Sequence, residues 1–227
     1  AGAGANGAVV HYQPSEKTNI KLPENGLLLI DSGAQYFDGT TDVTRTVALG
    51  KPAKEMIADF TMVLKAHIAL AQLRFPENLP GDKMDIIARS KLWQHGCDYK
   101  HGTGHGVGCF GNVHEGPISI SASGSDYGFK SGMVVSNEPG IYRAGLYGIR
   151  IENLQYTAKV EGLENEGFLE FKYLTKVPID KRLIDKYLLN EGERAWLNDY
   201  HRNVYDTLAP YMNENEKVWL KDACSPL

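Results

Sequence analysis

Cysteine is scarce in this sequence of 227 residues, and its three cysteines, Cys97, Cys109 and Cys224, show no CxxC spacing. An odd number without that spacing predicts neither a disulfide framework nor a thiolate zinc site. No apolar run approaches the ~18 residues of a transmembrane helix, and residues 1–7 lack the charged and apolar regions of a signal peptide. We therefore expect three reduced thiols in a soluble, cytoplasmic protein with no membrane partner.

An excess of positive charge is also absent. The sequence has 24 Lys and Arg against 28 Asp and Glu, which gives a net charge of −4. Because a phosphate backbone would find no basic face to bind, nucleic acid is excluded from the expected partners. The hydrophobic share of 42% is sufficient for one large domain with a buried core, or for one domain plus an appendage.

The first half of the chain predicts a hairpin followed by two helices. Residues 27–37 and 40–49 are two β-rich runs separated by the turn signal Asp38-Gly39. Apolar residues then recur with helical spacing from Pro52 to about Arg74. A second helix is predicted over residues 82–94, capped by Asp82.

The second half predicts strands and then a helical tail. The predicted strands are residues 133–142, 148–160 and 168–177, and the predicted helices are residues 183–189, 191–211 and 214–223. This order indicates an α+β protein with an antiparallel sheet. An apolar run at residues 8–12 predicts a strand already inside the core. We therefore expect the chain to begin within a domain.

Two glutamates are predicted to face each other in the sheet. If the turn after residue 142 is centred on Gly145, residues whose numbers sum to 290 are opposite, as Glu138 and Glu152 are, with Cβ atoms about 4.5–5.5 Å apart. Apolar neighbours such as Ile149 and Ile151 indicate that these carboxylates are partly buried. Because a buried unpaired charge is costly, a positive group is expected between them. A different register, or a solvated face, stays open as the alternative.

Two aspartates of the first hairpin are further candidates. Asp31 ends an apolar run, where a charge is costly unless it is matched. With a two-residue turn at Asp38-Gly39, Asp31 would pair with Thr46, and Asp42 would lie about 13 Å away. A shared site therefore requires a turn shifted toward Phe37, or a bulge. Taken alone, each Asp is better interpreted as a turn or cap residue than as a metal ligand.

Histidines cluster near these carboxylates. His105 lies in a glycine-rich stretch, and His101, His114 and the distant His11 lie in or near the same candidate segments. Four carboxylates and one imidazole suit hard or borderline ions such as Mn²⁺, Co²⁺ or Zn²⁺. Charge balance favours two ions, since four carboxylates and one bridging hydroxide offset two divalent cations to within one unit. Two such ions support hydrolytic chemistry.

Six segments together resemble the methionine aminopeptidase and prolidase superfamily, and most closely its Xaa-Pro aminopeptidases (aminopeptidase P). They are residues 29–36 (LIDSGAQY), 41–46 (TDVTRT), 101–106 (HGTGHG), 113–117 (VHEGP), 137–140 (NEPG) and 150–153 (RIEN). The resemblance implies the pita-bread fold, a curved antiparallel sheet with helices outside, here without its N-terminal portion. It also implies a catalytic domain over residues 1–178 and a helical C-terminal extension over residues 179–227 that contributes to a homodimer.

The same resemblance assigns roles to individual residues. The implied ligands of two divalent ions, with manganese favoured, are Asp31, Asp42, His105, Glu138 and Glu152. Asp42 and Glu152 would bridge the ions, and Glu138 would carry a proton between the hydroxide nucleophile and the leaving nitrogen. The implied pocket histidines, which hold the substrate and stabilise the oxyanion, are His11, His101 and His114. Arg150 would orient a ligating carboxylate, unless it is an ordinary surface-paired strand residue.

The implied activity is removal of the residue that precedes proline at a peptide N-terminus. The alternatives within the superfamily are a prolidase-type dipeptidase, a methionine aminopeptidase and the metal-free creatinase. A non-enzymatic pita-bread binding module is a further alternative, although such modules usually lose ligands. The expected partners are peptides with proline at the second position, a second copy of the chain, and the N-terminal segment that the chain lacks.

Overall fold

A long antiparallel hairpin leads the fold. The computed structural model describes residues 1–124, 126–162 and 167–227. Strands β1 (Gly2–Ala3), β2 (Gly26–Tyr36) and β3 (Gly39–Leu49) form one sheet in the order β1-β2-β3. The predicted hairpin is confirmed, with its turn at Phe37 and Asp38, one residue earlier than the Asp38-Gly39 signal.

Two helices cover the sheets. Helix α1 (Lys54–Ala71) buries Phe60, Leu64 and Ile68 at four-residue spacing, as predicted, and ends three residues before Arg74. Strand β4 (Arg74–Pro76) separates it from α2 (Asp82–Trp93). The predicted cap is wrong, because Gly81 occupies the N-cap position and Asp82 lies in the first turn, where its charge favours the helix dipole.

Short strands build the rest of the structure. They are β5 (Gly104–His105), β6 (Ser119–Ile120), β7 (Val134–Asn137), β8 (Gly140–Arg143), β9 (Tyr147–Arg150), β10 (Asn153–Lys159) and β11 (Phe168–Tyr173). The larger sheet has the order β4-β11-β10-β7, and β5 pairs with β6 and β8 with β9. The two predicted strands over residues 133–142 and 148–160 are each divided in two, at Glu138-Pro139 and at Ile151-Glu152. Proline lacks the N–H that a continuous strand needs.

The C-terminal tail consists of α3 (Glu191–Leu208) and α4 (Glu214–Ala223). Both begin with capping boxes, in which Asn190 and Asn213 accept from the backbone three residues on. The predicted helix over residues 183–189 is wrong: the structure has only a 3₁₀ turn at Lys181–Leu183, which the side chain of Asp180 caps. The predicted helix over residues 191–211 ends at Leu208 because Pro210 cannot continue it.

The predicted strand over residues 8–12 is also wrong. The chain instead forms a 3₁₀ helix at Gly4–Ala8 and then turns, with Val9 56% exposed. Gly7 packs directly on the backbone of Gly148, where even a Cβ atom has no room. This close approach explains glycine at positions 7 and 148, because side chains there would separate the two backbones.

One hydrophobic core joins the sheets to the tail. Leu64 and Ile149 belong to the same buried cluster as Leu197, Tyr200 and Val204 of α3. The three cysteines are all free, as predicted. None of the described helices is long and apolar enough to cross a bilayer.

Candidate metal centre

The structure brings all nine predicted site residues to one cavity of about 700 Å³. These residues are His11, Asp31, Asp42, His101, His105, His114, Glu138, Arg150 and Glu152. They come from the N-terminal turn, the first hairpin, the glycine-rich segment and the later strands. Because they are up to 141 positions apart along the chain, only the tertiary fold makes them neighbours.

The first hairpin contributes Asp31 and Asp42 to the same face of its sheet. The shifted turn pairs Asp31 with Thr44 and Gly33 with Asp42, so the two aspartates are diagonal neighbours. The shift toward Phe37 that a shared site requires is therefore present. The side chain of Asp42 is 11% exposed, whereas that of Asp31 is 46% exposed at the cavity wall.

The second pair of carboxylates follows the predicted register. Asn137 pairs with Asn153, and Gly140 pairs with Arg150, so the paired residue numbers sum to 290 both before and after the two glutamates. Glu138 and Glu152 lie between these two pairs. Both glutamates stand at the breaks between strands, and the Glu152 amide donates to the carbonyl oxygen of Thr44 at 3.0 Å. The break therefore links the later strands directly to β3.

The donor atoms converge on His105. One donor atom each from Asp42, His105 and Glu152 lies within 4.8 Å of the others. The Nε2 atom of His105 lies 3.4 Å from an oxygen of Asp42 and 3.5 Å from an oxygen of Glu138. This oxygen-rich set with one imidazole is the kind that divalent Mn²⁺, Co²⁺ or Zn²⁺ binds.

The electrostatics of the cluster fit bound cations. Burial and the neighbouring charge of Asp42 raise the pKa of Glu152 to about 7. Burial and the charge of Glu152 raise the pKa of Glu138 well above its usual value. Burial lowers the pKa of His105, but its hydrogen bond to Asp42 and the two glutamate charges outweigh that effect and raise it to about 9. The protein groups alone leave these negative charges poorly compensated, and divalent ions would compensate them.

Arg150 bonds one carboxylate directly and a second one through the hydroxyl of Thr44. Its Nη2 atom donates to Asp31 Oδ2 at 2.7 Å, and its Nε atom donates to Thr44 Oγ1 at 3.0 Å. The Thr44 hydroxyl in turn donates to Glu152 Oε2 at 2.7 Å. Sequence reasoning missed Thr44, although it follows Asp42 by two positions on one strand and so had to share its face.

The other histidines surround the donor cluster. His101 accepts at Nε2 from the hydroxyl of Tyr142 at 2.8 Å and donates from Nδ1 to the Gly102 carbonyl oxygen. Burial lowers the pKa of His101 to about 4, which keeps this imidazole neutral. The ring of His114 packs edge-on against that of His105 at 4.2 Å. His11 lies exposed on the N-terminal turn and lines the same cavity.

Tyr142 and Arg143, the last two residues of β8, have different surroundings. Tyr142 joins the site, because its hydroxyl also accepts from Arg150 Nη1 at 2.9 Å. Arg143 instead forms a two-bond ion pair with Asp59 of α1, at 2.8 Å for both bonds. Arg143 therefore anchors the hairpin to the helix.

The α+β arrangement and the carboxylate-lined cavity define a metallopeptidase-type pita-bread fold, as the sequence predicts. The chain belongs to metallopeptidase family M24, whose model matches residues 1–158. A model of the C-terminal region of peptidase M24 matches residues 167–227.

Individual relatives cover nearly all of this chain. Aminopeptidase P1 of Lotus japonicus is 46% identical over 99% of the chain, which spans 35% of that protein. The crystal structure of X-prolyl aminopeptidase from Caenorhabditis elegans, described as a cytosolic enzyme with a di-nuclear active site, has a TM-score of 0.95 and 44% identity. The match covers 99% of this chain and 38% of the nematode chain. A prolidase from Thermococcus sibiricus has a TM-score of 0.65 and 33% identity over 81% of this chain and 45% of that one. The chain thus spans about a third of the length of its aminopeptidase relatives.

Proposed function

We propose that the protein is a dinuclear metal-dependent Xaa-Pro aminopeptidase, which hydrolyses the peptide bond between an N-terminal residue and proline. The observation that carries the proposal is the convergence of four carboxylates and His105 on one cavity. The similarity to the nematode X-prolyl aminopeptidase over 99% of the chain supports the choice of substrate class.

The residues that would hold the two ions are Asp31, Asp42, His105, Glu138 and Glu152, with Asp42 and Glu152 shared between them. Asp42 and Glu152 suit the shared position because their oxygens lie within 4.8 Å of each other and of a nitrogen of His105. The oxygen-rich donor set favours manganese, with cobalt or zinc as alternatives. When bound, a pair of divalent ions makes water nucleophilic near neutral pH and polarises a carbonyl group.

The side chains around the donors have separate tasks. The carboxylate of Glu138 accepts a proton from the attacking water and passes it to the leaving prolyl nitrogen. His114 donates to the substrate carbonyl oxygen, and His101 and His11 bind the peptide at the cavity wall.

A prolidase-type dipeptidase is the second candidate. The observation that favours it is the likeness to the Thermococcus sibiricus prolidase, at 33% identity. The lower TM-score and coverage of that comparison leave the aminopeptidase as the better supported function. A non-enzymatic binding module is less well supported, since the full donor set is retained in one cavity.

A peptide series with metal analysis tests the proposal. We expect the purified protein to bind two divalent ions and to cleave Xaa-Pro-Yaa peptides in preference to Xaa-Pro and Met-Ala peptides. Preference for the Xaa-Pro dipeptide would favour the prolidase, and preference for Met-Ala would favour a methionine aminopeptidase. A protein that retains no metal and cleaves no peptide would contradict every enzymatic interpretation.

We further propose that residues 1–178 form the catalytic unit and that residues 179–227 form a helical extension used for homodimerisation. Exposed apolar side chains at Tyr211, Val218 and Trp219 support this role for the extension. Light scattering measures the oligomeric state of the purified protein, and Trp219→Ser is the test variant, which should shift the protein from dimer toward monomer. The description of the nematode enzyme as cytosolic supports a cytoplasmic location.

A further inference from the structure

A buried ion pair on α2 lies beneath the segment that carries His101 and His105. Arg89 Nε donates to Asp85 Oδ2 at 2.5 Å, one helical turn away, and their side chains are 8% and 4% exposed. Neither residue lines the cavity. Since burying two charges is costly, the pair is stable only if its remaining donors and acceptors are also hydrogen-bonded.

The guanidinium of Arg89 directs its other donors to the segment before the metal site. Its Nη1 atom donates to the Tyr99 carbonyl oxygen at 2.5 Å and to Asp98 Oδ1 at 2.9 Å. Its Nη2 atom donates to the carbonyl oxygen of His101 at 2.7 Å. The planar guanidinium therefore fixes the backbone on both sides of residue 100.

The ring of Tyr99 extends this contact to the imidazole. The guanidinium carbon of Arg89 lies 4.1 Å from the centre of the Tyr99 ring. The centre of the Tyr99 ring lies 4.9 Å from that of the His101 ring. The Tyr99 hydroxyl pairs with Thr103 Oγ1 at 2.5 Å, and Thr103 donates to Asp85 Oδ1 at 2.6 Å. Asp85, Arg89, Tyr99 and Thr103 thus form a closed ring of contacts, which we call the α2 clamp.

The segment needs such a clamp because of its composition. Glycine precedes and follows Thr103, at Gly102 and Gly104, and glycine restricts the backbone least of all residues. The hydrogen bonds of the His101 ring to Tyr142 and to the Gly102 carbonyl oxygen orient it only if the backbone that carries it is itself held in place. The Arg89 bond to the His101 carbonyl oxygen and the tilted packing of the Tyr99 ring against the imidazole hold this backbone in place.

We propose that Asp85 and Arg89, through the α2 clamp, are positioning residues that set the orientation of the His101 imidazole toward the substrate. The proposal rests on the proposed peptidase function for its kinetic readout but not for its structural one. It assigns a role in turnover to two residues that lie outside the cavity.

A double-mutant cycle tests the proposal. Arg89→Lys keeps the charge beside Asp85 but cannot bond both carbonyl oxygens, so kcat on an Xaa-Pro-Yaa peptide should fall about 10- to 100-fold. Two bound ions should be retained. In a His101→Ala background the same replacement should change kcat less than about 2-fold, because the residue through which it acts is gone. Equal fold-changes in the two backgrounds would overturn the proposal.

Controls separate positioning from general damage and from a wrong function. Arg182→Lys makes the same replacement in an ion pair with Asp180, outside the cavity lining, and should leave kcat unchanged. If Arg89→Lys does not fold, Tyr99→Phe opens the clamp at Thr103 while keeping the ring, and should show the same dependence on His101.

The imidazole NMR signals of the protein give a readout that needs no catalysis. Arg89→Lys should shift the His101 signal, assigned by its loss in His101→Ala, while the His201 signal stays in place. If the wild-type protein cleaves no prolyl peptide, the proposed function fails and this shift still decides the positioning role. An unmoved His101 signal overturns the positioning role even in an active enzyme.

Discussion

The guanidinium of Arg45, on β3, donates a hydrogen bond of 2.9 Å to the hydroxyl of Tyr200, on α3. The same guanidinium donates to the carbonyl oxygens of Glu152 and Val177, at 2.6 and 2.8 Å. No acidic side chain of the described residues forms an ion pair with Arg45, so neutral acceptors alone stabilise this buried charge. Helix α3 is therefore connected through Arg45 to the strand break at Glu152, which contributes to the candidate metal site.

Removing the Tyr200 hydroxyl should destabilise the folded protein, because this hydroxyl joins α3 to β3. Tyr200→Phe removes two buried hydrogen bonds of the hydroxyl, one accepted from Arg45 and one donated to the Val177 carbonyl oxygen, while Arg45 and Val177 stay bonded to each other. This loss should lower the free energy of unfolding by about 1–3 kcal/mol. Urea denaturation measures this change. Tyr187→Phe, at a residue that is 85% exposed, is the control and should stay within about 0.5 kcal/mol. Equal changes in the two variants would contradict the role of the hydroxyl.

Asp42→Asn and Glu152→Gln should each abolish turnover. Either change removes one negative charge from the shared position between the proposed ions, so we expect a rate loss greater than about 100-fold and fewer than two ions per chain. Steady-state kinetics and elemental analysis measure both effects. Asp38→Asn, at the exposed tip of the same hairpin, is the matched control. Two retained ions with a near-normal rate would refute the bridging assignment.

His114→Ala should separate substrate binding from metal binding. We assign His114 to the substrate, so its loss should slow turnover by about 10- to 100-fold while both ions stay bound. His105→Ala, its edge-on neighbour at 4.2 Å, should lose metal. If the two variants lose equal amounts of metal, the histidines have been divided wrongly.

A buried histidine should make stability depend on pH. Burial, with the charges of Lys181 and Arg45, lowers the pKa of His201 to about 4. Because an unfolded histidine has a pKa near 6.5, the unfolded state binds the proton first. Stability contributed by the neutral form is therefore lost as the pH falls from about 6.5 to 4, at up to about 1.4 kcal/mol per pH unit.

His201→Gln should reduce the slope of this dependence, to which the lowered pKa values of His67 and His101 also contribute. His201 Nε2 accepts a hydrogen bond from the Ile179 amide at 3.1 Å. Glutamine does not titrate, and its side-chain oxygen can accept the same bond. Denaturation curves between pH 7 and pH 4.5 compare the variant with the wild type. His95→Gln, at an exposed position, should leave the slope unchanged. A slope that His201→Gln does not alter would exclude a contribution from His201.

The sequence predicts those parts of the site that strand periodicity controls. The facing of Glu138 and Glu152 follows from one turn position, and the hairpin of Asp31 and Asp42 follows from two β-rich runs. The strand predicted at the start of the chain is wrong, and the structure there has Gly7 against the backbone of Gly148. Such an approach between distant segments leaves no periodic signal in the sequence.

The sequence does not predict the α2 clamp, because it also depends on contacts between separate segments of the chain. Asp85 and Arg89 are one turn apart on a helix, a spacing that usually indicates a surface ion pair. Only the fold shows that this pair is buried and directed toward His101.

Thr44 gives the sharpest test of how the donors are held. Its hydroxyl accepts from Arg150 Nε and donates to Glu152 Oε2, so Thr44→Val removes both bonds at almost unchanged volume. We expect metal affinity or turnover to fall about 10- to 100-fold, the usual effect of losing a partner behind a ligand.

Thr46→Val is the matched control for this change. Thr46 is equally buried, two residues further along β3, and its hydroxyl bonds the backbone of Arg150 at 3.1 and 3.2 Å rather than a carboxylate. It should therefore lower thermal stability and leave metal affinity unchanged. Metal titration and thermal melts of both variants measure the difference. If Thr46→Val weakens metal binding as much as Thr44→Val does, strand stability and not the Thr44 hydroxyl holds Glu152 in place.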